Sequence, residues 1–164
     1  MLTVLRSIVV LTLFLSFSAV ANTNFHPREY LTQSDANKIL KCLTDNIYYE
    51  AGNQSVVGKI AVAYTTLNRV RSEHFPDNVC GVVYEKTGRT CQFTWVCEKR
   101  KYKKIRGREI EIYKESRQVA IAVLLGYNEK HDPTFGSLFY HAYYVNPRWR
   151  RERLVRIEDH IFYR

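Results

Sequence analysis

SDANKILKCLTDNIYYEAG, residues 34–52, is the stretch on which the reading of the fold turns. Ala36, Leu40, Leu43, Ile47 and Ala51 step by four, three, four and four, so their side chains share one face of a helix. Ser34 or Asp35 supplies a cap at its start, and Gly52 a stop at its end. Glu50 lies on the edge of that apolar stripe, three residues after Ile47 and seven after Leu43. A carboxyl group is seldom buried unless something pairs with it or it keeps its proton. Glu50 is therefore either solvated just off the core or placed there for chemistry.

Outward from this helix, Ser55 to Arg71 reads as a second one, with Val57, Ile60, Tyr64, Leu67 and Val70 or Arg71 along its stripe and Pro76 closing the segment. Asp77 to Cys97 is short-patterned and β-rich, with Val82-Val83-Tyr84 and Gln92-Phe93-Thr94-Trp95 on either side of Gly88. On such a strand Phe93 and Trp95 share a side and Gln92 faces the other. A third helix fits Glu109 to Leu125, ending at Gly126 before the Asp132-Pro133 turn. Leu138 to Val145 follows, then a break at Asn146-Pro147, a basic cluster at Arg148, Arg150 and Arg151, and a last strand near Ile161-Phe162-Tyr163. With no internal repeat or low-complexity linker, the expectation is one α+β domain over residues 22–164, mainly helical with a small antiparallel sheet.

Met1 to Ala21 reads as an export signal, with Arg6 ahead of an apolar run from Ile8 to Phe17 and Ala19-Val20-Ala21 as the cleavage site. That run is about half of the ~20 residues a spanning helix needs, which disfavours the alternative of an uncleaved anchor. No Cys follows it to carry a lipid. Cleavage leaves 143 residues and lowers the formal charge from +9 to +8. A basic exported chain seeks polyanions such as wall polymers, phospholipid headgroups or lipopolysaccharide. Seven basic residues crowd Lys99 to Arg108, a solvated loop or a means of adhesion to an anionic envelope surface.

Cys42, Cys80, Cys91 and Cys97 make an even set, consistent with two disulfides in an oxidising compartment, with three pairings open. Their spacings of 38, 11 and 6 do not match the close pairs of a zinc site. His141 and His160, 19 positions apart with no carboxylate motif between them, make a poor metal site as well. No metal and no cofactor is expected.

Several blocks, taken in order, resemble the SleB-like cell wall hydrolases, relatives of spore-cortex-lytic enzymes. They are Cys42-Leu43, Ile47-Tyr48-Tyr49-Glu50-Ala51, Gly58 to Ala63, and Leu67-Asn68-Arg69-Val70. The likeness continues through Phe75 to Tyr84, Cys91-Gln92-Phe93-Thr94-Trp95, Tyr140-His141-Ala142, Tyr144-Val145-Asn146-Pro147 and His160 to Arg164. The resemblance implies a lysozyme-like fold and cleavage of the β-1,4 bond between N-acetylmuramic acid and N-acetylglucosamine, with Glu50 as the acid. It also implies a lytic transglycosylase, in which the carboxyl first protonates the leaving oxygen and then takes a proton from the muramoyl 6-hydroxyl, leaving a 1,6-anhydro end. Burial and the negative end of the first helix both favour the protonated carboxyl that such an acid requires. A hydrolytic glycosidase usually needs a second carboxylate nearby. None is evident: Asp45 is expected on a different face of the helix, and Glu73, Asp77, Glu85 and Glu98 fall in loops that the sequence does not place.

Tyr49, Gln92, Phe93, Trp95, His141, Tyr144 and Asn146 are the substrate-binding candidates, the aromatic rings for stacking on sugar faces and the amide for an acetamido group. Packing alone would account equally for the aromatic residues and for His141. Many family members carry Ala-Arg-Gly-Glu after the catalytic Glu, where this chain has Ala51-Gly52-Asn53-Gln54. The expected partner is the glycan strand of peptidoglycan, approached by a monomer in the periplasm or cell envelope. Two alternatives are a muramidase that uses water and a non-enzymatic polyanion-binding module. For the latter, nucleic acid is not expected beside an export signal.

Overall fold

The computed structural model describes residues 32–98, 104–126 and 132–164. The export signal read at Met1–Ala21 and residues 99–103 of the basic stretch lie outside them. Among the described residues, five helices and two small sheets run in the order α1 (Gln33–Ala51), α2 (Val56–Val70), α3 (Val79–Tyr84), β1 (Lys86–Thr87), β2 (Thr90–Cys91), α4 (Thr94–Cys97), α5 (Arg108–Leu124), β3 (Phe139–Ala142), β4 (Arg153–Ile157) and β5 (His160–Tyr163). The mainly helical α+β reading holds.

α1 begins at Thr32 rather than at Ser34 or Asp35. The Thr32 hydroxyl accepts from the Asp35 backbone N–H at 3.1 Å, and the Asp35 carboxylate accepts from the Thr32 N–H at 3.3 Å. This is a capping box, which requires its acid three residues after the cap, and Asp35 stands in that register only to Thr32. Gly52 ends the helix as read, its N–H donating to Tyr48 O at 3.1 Å. Leu43, Ile47 and Ala51 are fully buried on the predicted face, but Asp45 and Asn46 are buried too. Asn46 accepts from Trp95 Nε1 at 3.3 Å and donates to Thr66 Oγ1 at 3.1 Å. Asp45 takes hydrogen bonds from Lys41 at 2.6 Å and from the Tyr113 hydroxyl at 2.7 Å. α1 packs against α5, α2 and α3, so it is enclosed on more sides than a single stripe would require.

α2 departs further from its stripe. Val57 is 53% exposed, while Ala61, Val62, Ala63, Thr65 and Thr66 are buried. Contacts with α1, α3, α5 and β4 leave this helix few free sides, and small side chains let its neighbours approach closely. Thr65 and Thr66 satisfy their buried hydroxyls on the carbonyls of Ala61 and Val62 one turn back.

The β-rich expectation for residues 77–97 is overturned in two places. Val82-Val83-Tyr84 closes α3, and Trp95 lies in the helical turn α4, leaving only a two-residue hairpin, β1 with β2, around Gly88. Asn78 caps α3 by accepting from the Gly81 N–H at 2.7 Å. Val79, Val82 and Val83 then bury on one side of the helix. Tertiary burial thus outweighs the strand preference of β-branched residues. The cysteines pair as Cys42–Cys80, tying α1 to α3, and Cys91–Cys97, clamping α4 to the hairpin.

β3, β5 and β4 form an antiparallel sheet with β5 in the middle. β4 escaped the sequence reading because its arginines at 153 and 156 are exposed and only Leu154, Val155 and Ile157 turn partly inward. Tyr140 stands opposite Phe162 and Ala142 opposite His160, so these four share the inward face. His160 is 7% exposed, and its Nδ1 meets the Gln54 amide nitrogen at 3.2 Å. An amide nitrogen only donates, which places the ring proton of neutral His160 on Nε2. Burial pulls its pKa down to about 4, an effect that nearby Asp159 offsets only in part.

Two outcomes follow from these ties. Replacing Cys42 and Cys80 by Ala opens a separation of 38 residues and should lower unfolding free energy by about 4 kcal/mol, against about 2 kcal/mol for the pair six apart, measured by chemical denaturation. Because the fold disfavours protonated His160, the unfolded chain binds the extra proton as pH drops below about 6.5. Stability should therefore decline between pH 6.5 and about 4, by up to roughly 3 kcal/mol. His160→Gln should flatten that part of the profile, and an unchanged slope would contradict the burial of a neutral ring.

Candidate functional site

Glu50 occupies the last turn of α1, where the helix runs out beside the inward face of the sheet. It opens on a cavity of about 430 Å³. From α1 come Tyr49 and Glu50, from α2 Arg69, from the segment after β2 Gln92, Phe93 and Thr94, and from the sheet and the turn beyond it Tyr140, His141, Ala142, Tyr144, Val145 and His160. The Tyr140 hydroxyl donates to Glu50 Oε2 at 3.2 Å. Burial first, and the Glu50 charge second, push the Tyr140 phenol well above its ordinary pKa, so it keeps its proton. Such a hydroxyl donates to the carboxylate and accepts from the protonated acid.

Arg69 assembles the wall around this pair. It is 2% exposed, and its Nε donates to Leu138 O at 2.7 Å. Its guanidinium sits 5.3 Å from the ring centres of Phe75 and Phe93 and 5.9 Å from that of Tyr140. With its amide oxygen turned toward the guanidinium, Gln92 accepts from both terminal nitrogens at 3.2 Å. Burial lowers the Arg69 pKa, while the negative charges of Glu85 and Glu50 work against that shift. The side chain stays cationic at neutral pH. A fixed positive charge thus stands behind the cavity that Glu50 faces.

The sequence-predicted residues divide. Tyr49 lines the cavity and stacks on Trp95, with centroids 4.6 Å apart and planes 22° apart. Gln92 and Phe93 line it as well, though Phe93 is 4% exposed and presents only part of its ring. Tyr144, 76% exposed, stands at the rim. Trp95 is 1% exposed and lies beneath Tyr49 in the core. α4 is helical, so Phe93 and Trp95 do not present a common face as they would on a strand. Asn146 is outside the cavity lining, and its side chain accepts from the Arg148 N–H at 3.2 Å, holding the turn in which Arg148 has φ 53°.

His141 does line the cavity, yet both ring nitrogens are engaged. Nδ1 lies 2.9 Å from Ala142 O, which only accepts, so Nδ1 carries the proton and Nε2 accepts from the Tyr163 hydroxyl at 2.8 Å. Arg69, Tyr140 and His160 were not among the candidates. Arg69 and His160 sit inside apolar segments where a buried polar residue has no local signature. Tyr140 is visible only through the alternation of β3, once its inward side is known. Among the described residues that line the cavity, Glu50 is the single carboxylate. Asp45 is held by Lys41 and Tyr113 instead.

The sequence profile of the family described as Cell Wall Hydrolase matches residues 53–163, beginning three residues after Glu50. The spore cortex-lytic enzyme of Halalkalibacterium halodurans is 32% identical over 130 residues, 75% of this chain and 34% of that protein. The Bacillus subtilis spore cortex-lytic enzyme is 29% identical over 134 residues, 77% of this chain and 38% of its own length. The chain therefore spans little more than a third of these relatives.

Among solved structures, the catalytic domain of Bacillus cereus SleB superposes with a TM-score of 0.61 at 25% identity, covering 78% of this chain and 91% of that one. The catalytic domain of the germination-specific lytic transglycosylase SleB of Bacillus anthracis gives 0.61 at 26% identity, covering 84% and 99%. Both likenesses cover the solved catalytic domain almost whole. The chain belongs to the cell wall hydrolase family and has the lysozyme-like fold of the SleB catalytic domain.

Proposed function

We propose that this protein cleaves peptidoglycan glycan strands at the N-acetylmuramic acid to N-acetylglucosamine β-1,4 bond as a lytic transglycosylase, with Glu50 as its catalytic residue. The observation that carries the reading is a cavity whose described lining residues include one carboxylate, bonded to a phenol that keeps its proton. Protonated Glu50 donates to the glycosidic oxygen, the bond from that oxygen to the muramoyl C1 breaks, and positive charge develops at C1. Glu50, now a carboxylate steadied by Tyr140, takes the proton of the muramoyl 6-hydroxyl. The freed oxygen bonds to C1 and closes the 1,6-anhydro ring. No water is consumed, and Glu50 is protonated again at the end. A hydrolase that inverts or retains would need a second carboxylate within about 5–9.5 Å of the first.

Tyr49, Gln92, Phe93, Tyr144 and the edge of His141 would hold the sugars, with Gln92 oriented by Arg69. The two disulfides and the family suit an envelope or extracellular setting. The finer reading is export on the Met1–Ala21 signal and action as a monomer within the envelope, where residues of Lys99–Arg108 hold it to anionic surface.

Digestion of purified sacculi tests the reading. The expected muropeptides are lighter by one water than their hydrolysed counterparts, whereas reducing muramoyl ends would overturn the transglycosylase assignment. Glu50→Gln should lower the rate by about 10²–10⁴-fold, the usual range for loss of a general acid. Tyr140→Phe, which keeps the ring but removes the hydroxyl, should lower it by roughly tenfold through loss of a charged hydrogen bond.

A further inference from the structure

Between residues 148 and 156 the chain carries five arginines and one acid, Glu152. Arg148, Arg150, Arg151, Arg153 and Arg156 are all exposed, and none stands in an ion pair with a described residue. Two of them are fixed to aromatic rings that lead to the cavity. The Arg151 guanidinium lies 3.4 Å from the ring centre of Phe139 and 5.9 Å from that of Trp149. Trp149 in turn meets His141 at 5.4 Å, and His141 lines the cavity. Arg156 lies 4.3 Å from the ring centre of Tyr143, which meets the rim residue Tyr144 at 5.4 Å. Arg156 donates its Nε–H to the Glu158 carbonyl at 3.2 Å, and the terminal N–H groups of an arginine held over a ring remain suited to a carboxylate. The only acids near this surface in sequence are Glu152, Glu158 and Asp159, and Glu158 is taken up by the Ser55 hydroxyl at 2.6 Å.

We propose that this arginine–aromatic shelf binds the carboxylates of the peptide branches on the glycan strand, so that the protein prefers strands that carry peptides over bare ones. The inference rests on the proposed function, since it takes the strand to be the occupant of the adjoining cavity. Charge complementarity selects this partner. Peptide branches place several carboxylates at regular intervals along an otherwise neutral polymer, beside each muramoyl residue that reaches the cavity. Individual exposed pairs are weak, so the preference comes from several acting together.

Binding, rather than cleavage, separates this inference from the reading it rests on. The Glu50→Gln protein is titrated into two fluorescent glycan-strand fragments of equal length, one with its peptides and one stripped by an amidase and then amidated at the lactyl carboxylates this uncovers, and followed by anisotropy. The expected result at low salt is at least about tenfold tighter binding of the peptide-bearing fragment. The difference should shrink as salt rises toward about 0.5 M, where screening shortens the reach of surface charges.

Arg150→Glu with Arg153→Glu, two exposed positions that do not stack on rings, should remove most of that preference, and Arg150→Gln with Arg153→Gln should remove part of it. Circular dichroism checks that both variants remain folded. Equal binding of the two fragments, or a preference unchanged in the charge-reversed variant, would overturn the proposal. So would binding to phosphatidylglycerol vesicles that is lost in the variant while the fragments show no preference, which would assign the shelf to a lipid surface. The products of sacculus digestion settle the cleavage chemistry separately.

Discussion

A single buried guanidinium ties the site together. Arg69 projects from α2, donates to the Leu138 carbonyl just before β3, lies against Phe75, Phe93 and Tyr140, and holds the Gln92 amide. Helix, sheet and the disulfide-clamped segment after β2 all meet on this one side chain. A cation taken out of water is costly unless hydrogen bonds and aromatic faces replace its hydration. That requirement fixes where these three elements stand relative to one another. Tyr140, held on the same strand, then reaches the carboxyl group at the end of α1.

The end of α1 is defined with comparable care. Gly52 is closed off by Tyr48, and a side-chain carbon at that position would collide with the Tyr48 carbonyl oxygen. The following turn carries Gln54, whose amide reaches His160 on the central strand. The residues after Glu50 differ from the Ala-Arg-Gly-Glu pattern common in the family. In this chain that turn contributes a tie to the sheet where the pattern would offer an arginine and a second acid. Among the described residues that line the cavity Glu50 is the one carboxyl group, with positive charge supplied from behind by Arg69.

Much of this was legible in the sequence wherever the physics is local. The stripe from Ala36 to Ala51 marks α1, but it leaves Glu50 at its edge between solvent and chemistry, and the family resemblance rather than periodicity singles that carboxyl out. The spans of α2 and α5 and the strand at Ile161-Phe162-Tyr163 also follow from periodicity and from glycine and proline punctuation. Legibility ends where distant contacts decide. Val82-Val83-Tyr84 favours a strand by composition, but the Cys42–Cys80 bridge and burial against α1 and α2 make it helical. Trp95 has the character of a sugar-stacking ring, but α4 turns it inward to Asn46, leaving Tyr49 on the cavity side. Arg69, Tyr140 and His160 become site residues only when α2 and the sheet close on each other. No pattern within either segment encodes that meeting.

In the proposed mechanism one carboxyl group carries both proton transfers and the 6-hydroxyl of the substrate, not water, attacks. Cleavage of sacculi in water enriched in heavy oxygen tests it most directly, with mass analysis of the new muramoyl ends. The new ends should carry no heavy oxygen, because the ring-closing oxygen comes from the sugar itself. Heavy oxygen at the muramoyl C1 of fresh products would contradict it.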